Sequence, residues 1–224
     1  MIIIFVFILL IFILQKKMGN MLKNSKVGFI HITKTGGTNI KDKNLNKELY
    51  YGGYHSETAQ HYFNKNIPCF AIIRDPIERY KSIFYYNKYG SNKYRKYNNM
   101  NDINTFIDKH YKNQAYVNKF ENGIQFRKQV SWLNNDNAYI ILYNKQNLIT
   151  NIEHFLLNEF LIKFKYDYSG KNINVTNTSK HVPLTKNSID KINKLYREDV
   201  QLYNKFIQYT KNKNKCYCKI KELR

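Results

Sequence analysis

The chain has 224 residues, 43% of them hydrophobic and 16% aromatic, and a formal charge of +21 from 37 Lys and Arg against 16 Asp and Glu. This length and apolar content predict one compact domain with material for a full core, and three cysteines exclude a disulfide scaffold. The charge admits a polyanionic partner such as a glycosaminoglycan-like sugar, a membrane surface or nucleic acid. Lys, Asn, Ile and Tyr abound together, however, as an AT-rich genome would produce, so charge by itself selects none of them. No nucleic-acid fold signature accompanies the basic residues, and no nucleic-acid partner is expected. Neither an internal repeat nor a proline-rich linker divides the chain.

Residues 2 to 14 form an unbroken apolar run followed by Gln15, Lys16 and Lys17. As a helix the run would span roughly 20 Å, short of the ~30 Å hydrocarbon core, which suits a signal-peptide core or a short membrane anchor within residues 1–20. Lysines placed after the run rather than before it favour a cytosolic orientation for the domain beyond them. Met18 and Met21 are alternative starts that would delete the segment.

Residues 29 to 38 read Phe-Ile-His-Ile-Thr-Lys-Thr-Gly-Gly-Thr, an apolar strand entering a loop of small residues with one lysine. Such a loop can cradle an anion. Gly36 and Gly37 let the backbone turn its N–H groups inward, Thr35 and Thr38 add hydroxyl donors, and a helix starting near Thr38 points its positive end at the same place. Lys34 brings the full charge. The nucleotide-triphosphatase pattern is excluded, because there the lysine comes after the glycines. His31 lies within the predicted strand and reads as a packing or hydrogen-bonding residue.

Cys69–Ile73 has the length of a buried strand, and residues 74 to 82 read Arg-Asp-Pro-Ile-Glu-Arg-Tyr-Lys-Ser. Asp75 as N-cap, Pro76 at the first helical position and Glu78 completing a capping box specify a helix start. Spacing puts Ser82 on the face of Asp75 and Arg79, and turns Ile77, Tyr80 and Phe84 toward the core. Arg74 at the strand end, converging with Ser82, suits a second phosphate. The stretch 86–118 has weak periodicity and reads either as an acceptor-side insertion or as a mobile loop followed by a helix from Asp102. The run 139–143 predicts a further strand and Leu148–Phe160 a helix, which together give an α/β fold with a parallel sheet flanked by helices. Lysines of the tail 211–224 read as solvated surface, and Cys216 and Cys218 as a tail pair.

The two motifs, Lys34 to Thr38 and Arg74 to Ser82, resemble the cofactor site of carbohydrate sulfotransferases, closest to the heparan sulfate and uronyl 2-O-sulfotransferase group. The resemblance covers most of residues 26–208, and extends to residues 174–180, to Leu184, Thr185 and Lys186, and to a closing helix with Asp199, Leu202 and Tyr203. It implies a P-loop-like sulfotransferase domain over 26–210 with a basic tail over 211–224. It also implies 3′-phosphoadenosine 5′-phosphosulfate as donor, with Lys34, Thr35, Gly36, Gly37, Thr38 and Asn39 around the 5′-phosphosulfate. Arg74 and Ser82 would then hold the 3′-phosphate, and Thr178, Ser179 and Lys180 would contribute from a late loop. The acceptor implied is a carbohydrate and the setting a Golgi-type lumen, opposite to the orientation that the flanking lysines favour. The family usually has proline where this chain has Thr33, a departure that loosens the loop without removing a chemical group.

Sulfuryl transfer to a hydroxyl is an in-line displacement served mainly by positioning and charge neutralisation. Lys34 would stabilise the bridging oxygen as the bond breaks, and no metal is required. For the base, the resemblance favours His55, with Glu57 and His61 as alternatives. Two further readings remain open: a non-catalytic basic protein that holds polyanions on the same fold, and a nucleotide kinase-like phosphotransferase, for which no aspartate stands ready to hold magnesium.

Overall fold

The computed structural model describes residues 26–51, 55–89, 102–119, 121–169 and 181–224. The apolar run 2–14 and the late loop residues Thr178, Ser179 and Lys180 lie outside these. Among the described residues no helix is long and apolar enough to cross a membrane.

The fold is α/β, with five strands in one mostly parallel sheet flanked by helices. In chain order, β1 (Val27–Ile30) leads to α1 (Gly37–Lys43), β2 (Leu49–Tyr50), α2 (Ala59–Phe63), β3 (Cys69–Ile73) and α3 (Pro76–Tyr89). Next come α4 (Ile103–Lys112), three short 3-10 turns, β4 (Tyr139–Leu142), α5 (Leu148–Phe160), α6 (Lys186–Leu195), α7 (Arg197–Lys213) and β5 (Tyr217–Lys219). The strand order is β2-β1-β3-β4-β5, with the first four parallel and β5 antiparallel to β4.

Strands covered on both faces need apolar residues at every position, which is why Cys69–Ile73 carries no alternation. Phe70 and Ile72 pack with Val27, Phe29, Ile141 and the α5 residues Ile152, Phe155 and Leu156. Cys69, Ala71 and Ile73 face the other way, against Tyr62 of α2, Trp132 and Phe206 of α7. A third cluster joins Tyr80, Ile83 and Phe84 of α3 to Phe106 of α4 and Ile192 of α6.

Local signals explain the helix starts. The Asp75 carboxylate accepts from the N–H groups of Ile77 and Glu78, each at 2.9 Å. The Glu78 carboxylate does not complete a capping box; it pairs with Lys81 at 2.8 Å and lies 4.0 Å from Arg74. Asp102 caps α4, accepting from the N–H groups of Asn104 and Thr105.

Residues 217–223 do not trail from the domain as a basic tail. Tyr139, Ile140 and Ile141 pair with Lys219, Cys218 and Tyr217, and Tyr217, Cys218, Ile220 and Leu223 are buried. Lysine density hid four core side chains. Cys218 is buried within the sheet and Cys216 is partly buried.

Candidate active site

From β1 the sheet grows one way to β2 and from β3 the other way to β4, so the chain diverges between β1 and β3. Open α/β sheets bind ligands in the crevice at the carboxyl ends of such a strand pair. The loop 31–36 leaves β1 there and Arg74 leaves β3 there. The two motifs are joined: Arg74 Nη1 donates to the Lys34 carbonyl at 3.3 Å.

Gly36 adopts φ +87°, and a Cβ on it would lie 2.9 Å from the Tyr143 ring. Glycine is required there on both counts. Gly37 opens α1 with no positive φ, but a Cβ would lie 2.2 Å from Cδ2 of His31. Lys34 itself has φ 62°. Positive φ at a non-glycine residue requires surrounding contacts to hold it and recurs at functional sites. Among the described residues five do so: Leu161 and Asn214 end helices, Asn66 is a tolerant residue type, and the other two are Lys34 and His55.

The Lys34 ammonium sits 3.7 Å from the centre of the Tyr86 ring, one turn along α3 from Ser82. The Arg74 guanidinium lies 4.7 Å over Tyr143. Ser82 and Thr38 are half-buried, and among the described residues neither hydroxyl has a hydrogen-bond partner given by the geometry. Thr35 departs from expectation: its side chain is fully buried and its hydroxyl donates to the Ile32 carbonyl at 2.9 Å, so only its backbone N–H can face a ligand. The Asn39 side chain lies outside the described set. The segment 170–180 also does, but its exit is anchored on α3, where the His181 ring stacks 3.7 Å from Tyr85 and the Val182 N–H donates to the Tyr85 hydroxyl at 2.6 Å.

His55 reaches the same region. Its Nδ1 is 2.8 Å from the His31 carbonyl, the two imidazoles are 4.3 Å apart, and the Trp132 indole donates to the His55 carbonyl at 3.0 Å. Donation from Nδ1 to a carbonyl leaves the neutral ring's lone pair on Nε2. His31, just beyond β1, is held down to about 3, first by burial and then by the charges of His55, Lys41 and Lys34, so it stays neutral and its role is packing. The two alternatives for a base lie side by side: Glu57 accepts from the Tyr62 hydroxyl at 2.6 Å, and its other oxygen is 3.3 Å from His61 Nε2, which makes no hydrogen bond among the described residues.

Helical spacing puts Arg79 on the face of Asp75 and Ser82 rather than with the core residues of α3, whereas it is 2% exposed. Its Nε donates to the Thr33 carbonyl at 2.9 Å, and its Nη2 to the Thr33 hydroxyl at 2.8 Å and to the Gln125 carbonyl at 2.9 Å. Thr33 in turn donates to Gln125 at 3.1 Å. Thr33 therefore does not loosen the loop, because a hydrogen-bonded fork restrains it from outside. Burial lowers the Arg79 pKa, against the pull of Tyr196 and Asp199. Burial raises that of Asp199, against the N–H groups of Val130 and Gln129 and then Arg79.

Gln129, Trp132, Tyr86 and Tyr143 were missed as site residues. Only Trp132 carried a signal, as the single tryptophan of the chain. Among the described residues no group of three or more His, Cys, Asp or Glu is arranged to hold a metal ion. No family model, no curated protein and no solved structure matches the chain.

Proposed function

We propose that the protein is a sulfotransferase that moves a sulfuryl group from 3′-phosphoadenosine 5′-phosphosulfate to a carbohydrate hydroxyl. One observation carries this reading: the Lys34 loop and Arg74 leave adjacent parallel strands at the divergence point of the sheet and are joined by a 3.3 Å hydrogen bond. The residues suit such a donor. Backbone at Gly36 and Gly37 leaves no room for a Cβ, and Lys34, Arg74 and the hydroxyls of Thr38 and Ser82 are cationic or donating groups for two phosphates.

Bound there, the donor would supply an activated sulfuryl group on a phosphate leaving group. Lys34 would neutralise charge on that phosphate, and Arg74 with Ser82 would fix the 3′-phosphate. His55, oriented through Nδ1, would take the hydroxyl proton of the acceptor at Nε2. The carbohydrate acceptor and a Golgi-type lumenal setting come with the family resemblance.

Calorimetric titration of the protein with 3′,5′-ADP, with 5′-ADP as comparison and Arg74→Ala as control, tests this. Binding that needs both the 3′-phosphate and Arg74 is expected. Tight binding of magnesium-ATP with none of 3′,5′-ADP would refute it in favour of a phosphotransferase. A folded sample that binds polyanions but no nucleotide would point to the non-catalytic alternative.

A further inference from the structure

Arg74 is gripped through its backbone as well as its side chain. The Gln129 carboxamide accepts from the Arg74 N–H at 3.0 Å and donates to the Arg74 carbonyl at 2.8 Å, closing both polar groups of one residue with one planar amide. Gln129 is 2% exposed, so neither bond is shared with bulk water. Gln129 is itself held from α7. The buried Asp199 carboxylate accepts from the N–H of Gln129 at 2.8 Å and from that of Val130 at 3.0 Å. A continuous line thus runs from Asp199 through the Gln129 peptide and side chain to the Arg74 backbone, from which the guanidinium projects toward Lys34.

Resting on the cofactor reading above, we propose that Gln129 is a positioning residue for anion recognition by Arg74, with Asp199 as its anchor. A guanidinium binds a phosphate well only within a narrow range of angles, because its N–H groups form a rigid fork. Strand β3 ends at Ile73, so the ladder does not define the conformation of residue 74. The carboxamide supplies that definition. Gln129 touches no ligand in this scheme; its effect is confined to the group that Arg74 binds.

Gln129→Glu gives a test that structural damage alone does not mimic. A protonated glutamic acid reproduces both bonds, since its carbonyl accepts and its O–H donates, whereas the ionised form presents only acceptors to the Arg74 carbonyl. Affinities of the wild type, Gln129→Glu, Gln129→Met and Arg74→Ala are measured by calorimetry from pH 5.5 to 8 with 3′,5′-ADP, 5′-ADP and inorganic sulfate, at a temperature where melting shows each folded. At pH 8, Gln129→Met and Gln129→Glu are expected to bind 3′,5′-ADP about tenfold more weakly than the wild type, with 5′-ADP unchanged. The Gln129→Glu deficit should shrink toward pH 5.5 and the Gln129→Met deficit should not. Folded variants that keep the wild-type preference for the 3′-phosphate at every pH would overturn the role of Gln129. If the wild type binds sulfate through Arg74 but does not prefer 3′,5′-ADP, the cofactor reading fails and sulfate decides the role of Gln129 by the same comparison. Absence of any Arg74-dependent anion binding would overturn both.

Discussion

Arg79 donates to the Thr33 carbonyl at 2.9 Å and to the Thr33 hydroxyl at 2.8 Å, so a buried guanidinium on α3 closes on both polar groups of one loop residue. The lysine loop is thereby tied to the helix that carries Ser82 and Tyr86. Arg79→Met removes these bonds and leaves the Thr33 and Gln125 carbonyls and the Asp199 carboxylate without their cation. A loss of about 3 kcal/mol is expected in urea unfolding. Thr33→Val, which keeps the shape and loses the hydroxyl, should lose about 1 kcal/mol. Equal stability of both variants would show that the fork does not restrain the loop.

Gly37 tests the approach of His31. Alanine is better than glycine inside a helix by about 1 kcal/mol, yet its Cβ would overlap His31 Cδ2, and that ring is stacked against Phe29 and lies beside His55. Gly37→Ala should therefore lower the melting temperature, and adding His31→Ala should recover most of what Gly37→Ala alone loses. Additive losses in the double mutant would contradict this geometry.

His55→Asn keeps a donor near the place of Nδ1 but no base. Melting and 3′,5′-ADP affinity should change little while sulfuryl transfer to a desulfated glycosaminoglycan mixture falls by about 10²-fold. Undiminished transfer would move the base to Glu57, to be checked with Glu57→Gln.

Burial holds the imidazoles of His31 near 3 and His110 near 4, against 6.5 when unperturbed. Above pH 6.5 both are neutral folded or unfolded, and their neutrality carries no penalty. As pH falls below 6.5 the unfolded chain takes up protons that the folded chain refuses. Stability should drop by about 1.4 kcal/mol per pH unit for each group, down to pH 4. His110→Asn cannot titrate and leaves a polar group for the Tyr80 hydroxyl, which lies 2.9 Å from Nδ1. Urea midpoints between pH 7 and 4 should show a shallower decline for this variant; an identical slope would mean that His110 does not contribute.

Ending the chain after Lys213 deletes Tyr217, Cys218, Ile220 and Leu223, all buried, and uncovers the β4 edge. The loss of about 5 kcal/mol or more rivals the whole stability of a typical domain. A cooperative melt close to that of the full chain would show that β5 is dispensable.

The legible and the hidden parts of this structure have one cause. Periodicity and caps report local structure, so β3, β4, α5 and the starts of α3 and α4 were legible, as were both small-residue and arginine motifs. Arg79 was misplaced because spacing assumes one buried face per helix, whereas α3 is covered by the α4 and α6 side chains on one flank and by the Thr33 and Gln125 loops on another. Gln129 lies in a 3-10 turn with no period to read, and its importance comes from a carbonyl and an N–H on residue 74. In residues 211–224, a lysine at almost every second position outweighed the few apolar residues between them.

The order of the strands bears on how quickly this chain finds its structure. Gly28 pairs with Cys69, Phe70 with Tyr139 and Tyr139 with Lys219, so each step outward from β1 toward β5 joins partners far apart in sequence. Loop closure must precede the reward of pairing, which places refolding in the slow, millisecond-to-second range and leaves the β4 edge exposed to intermolecular pairing until β5 docks.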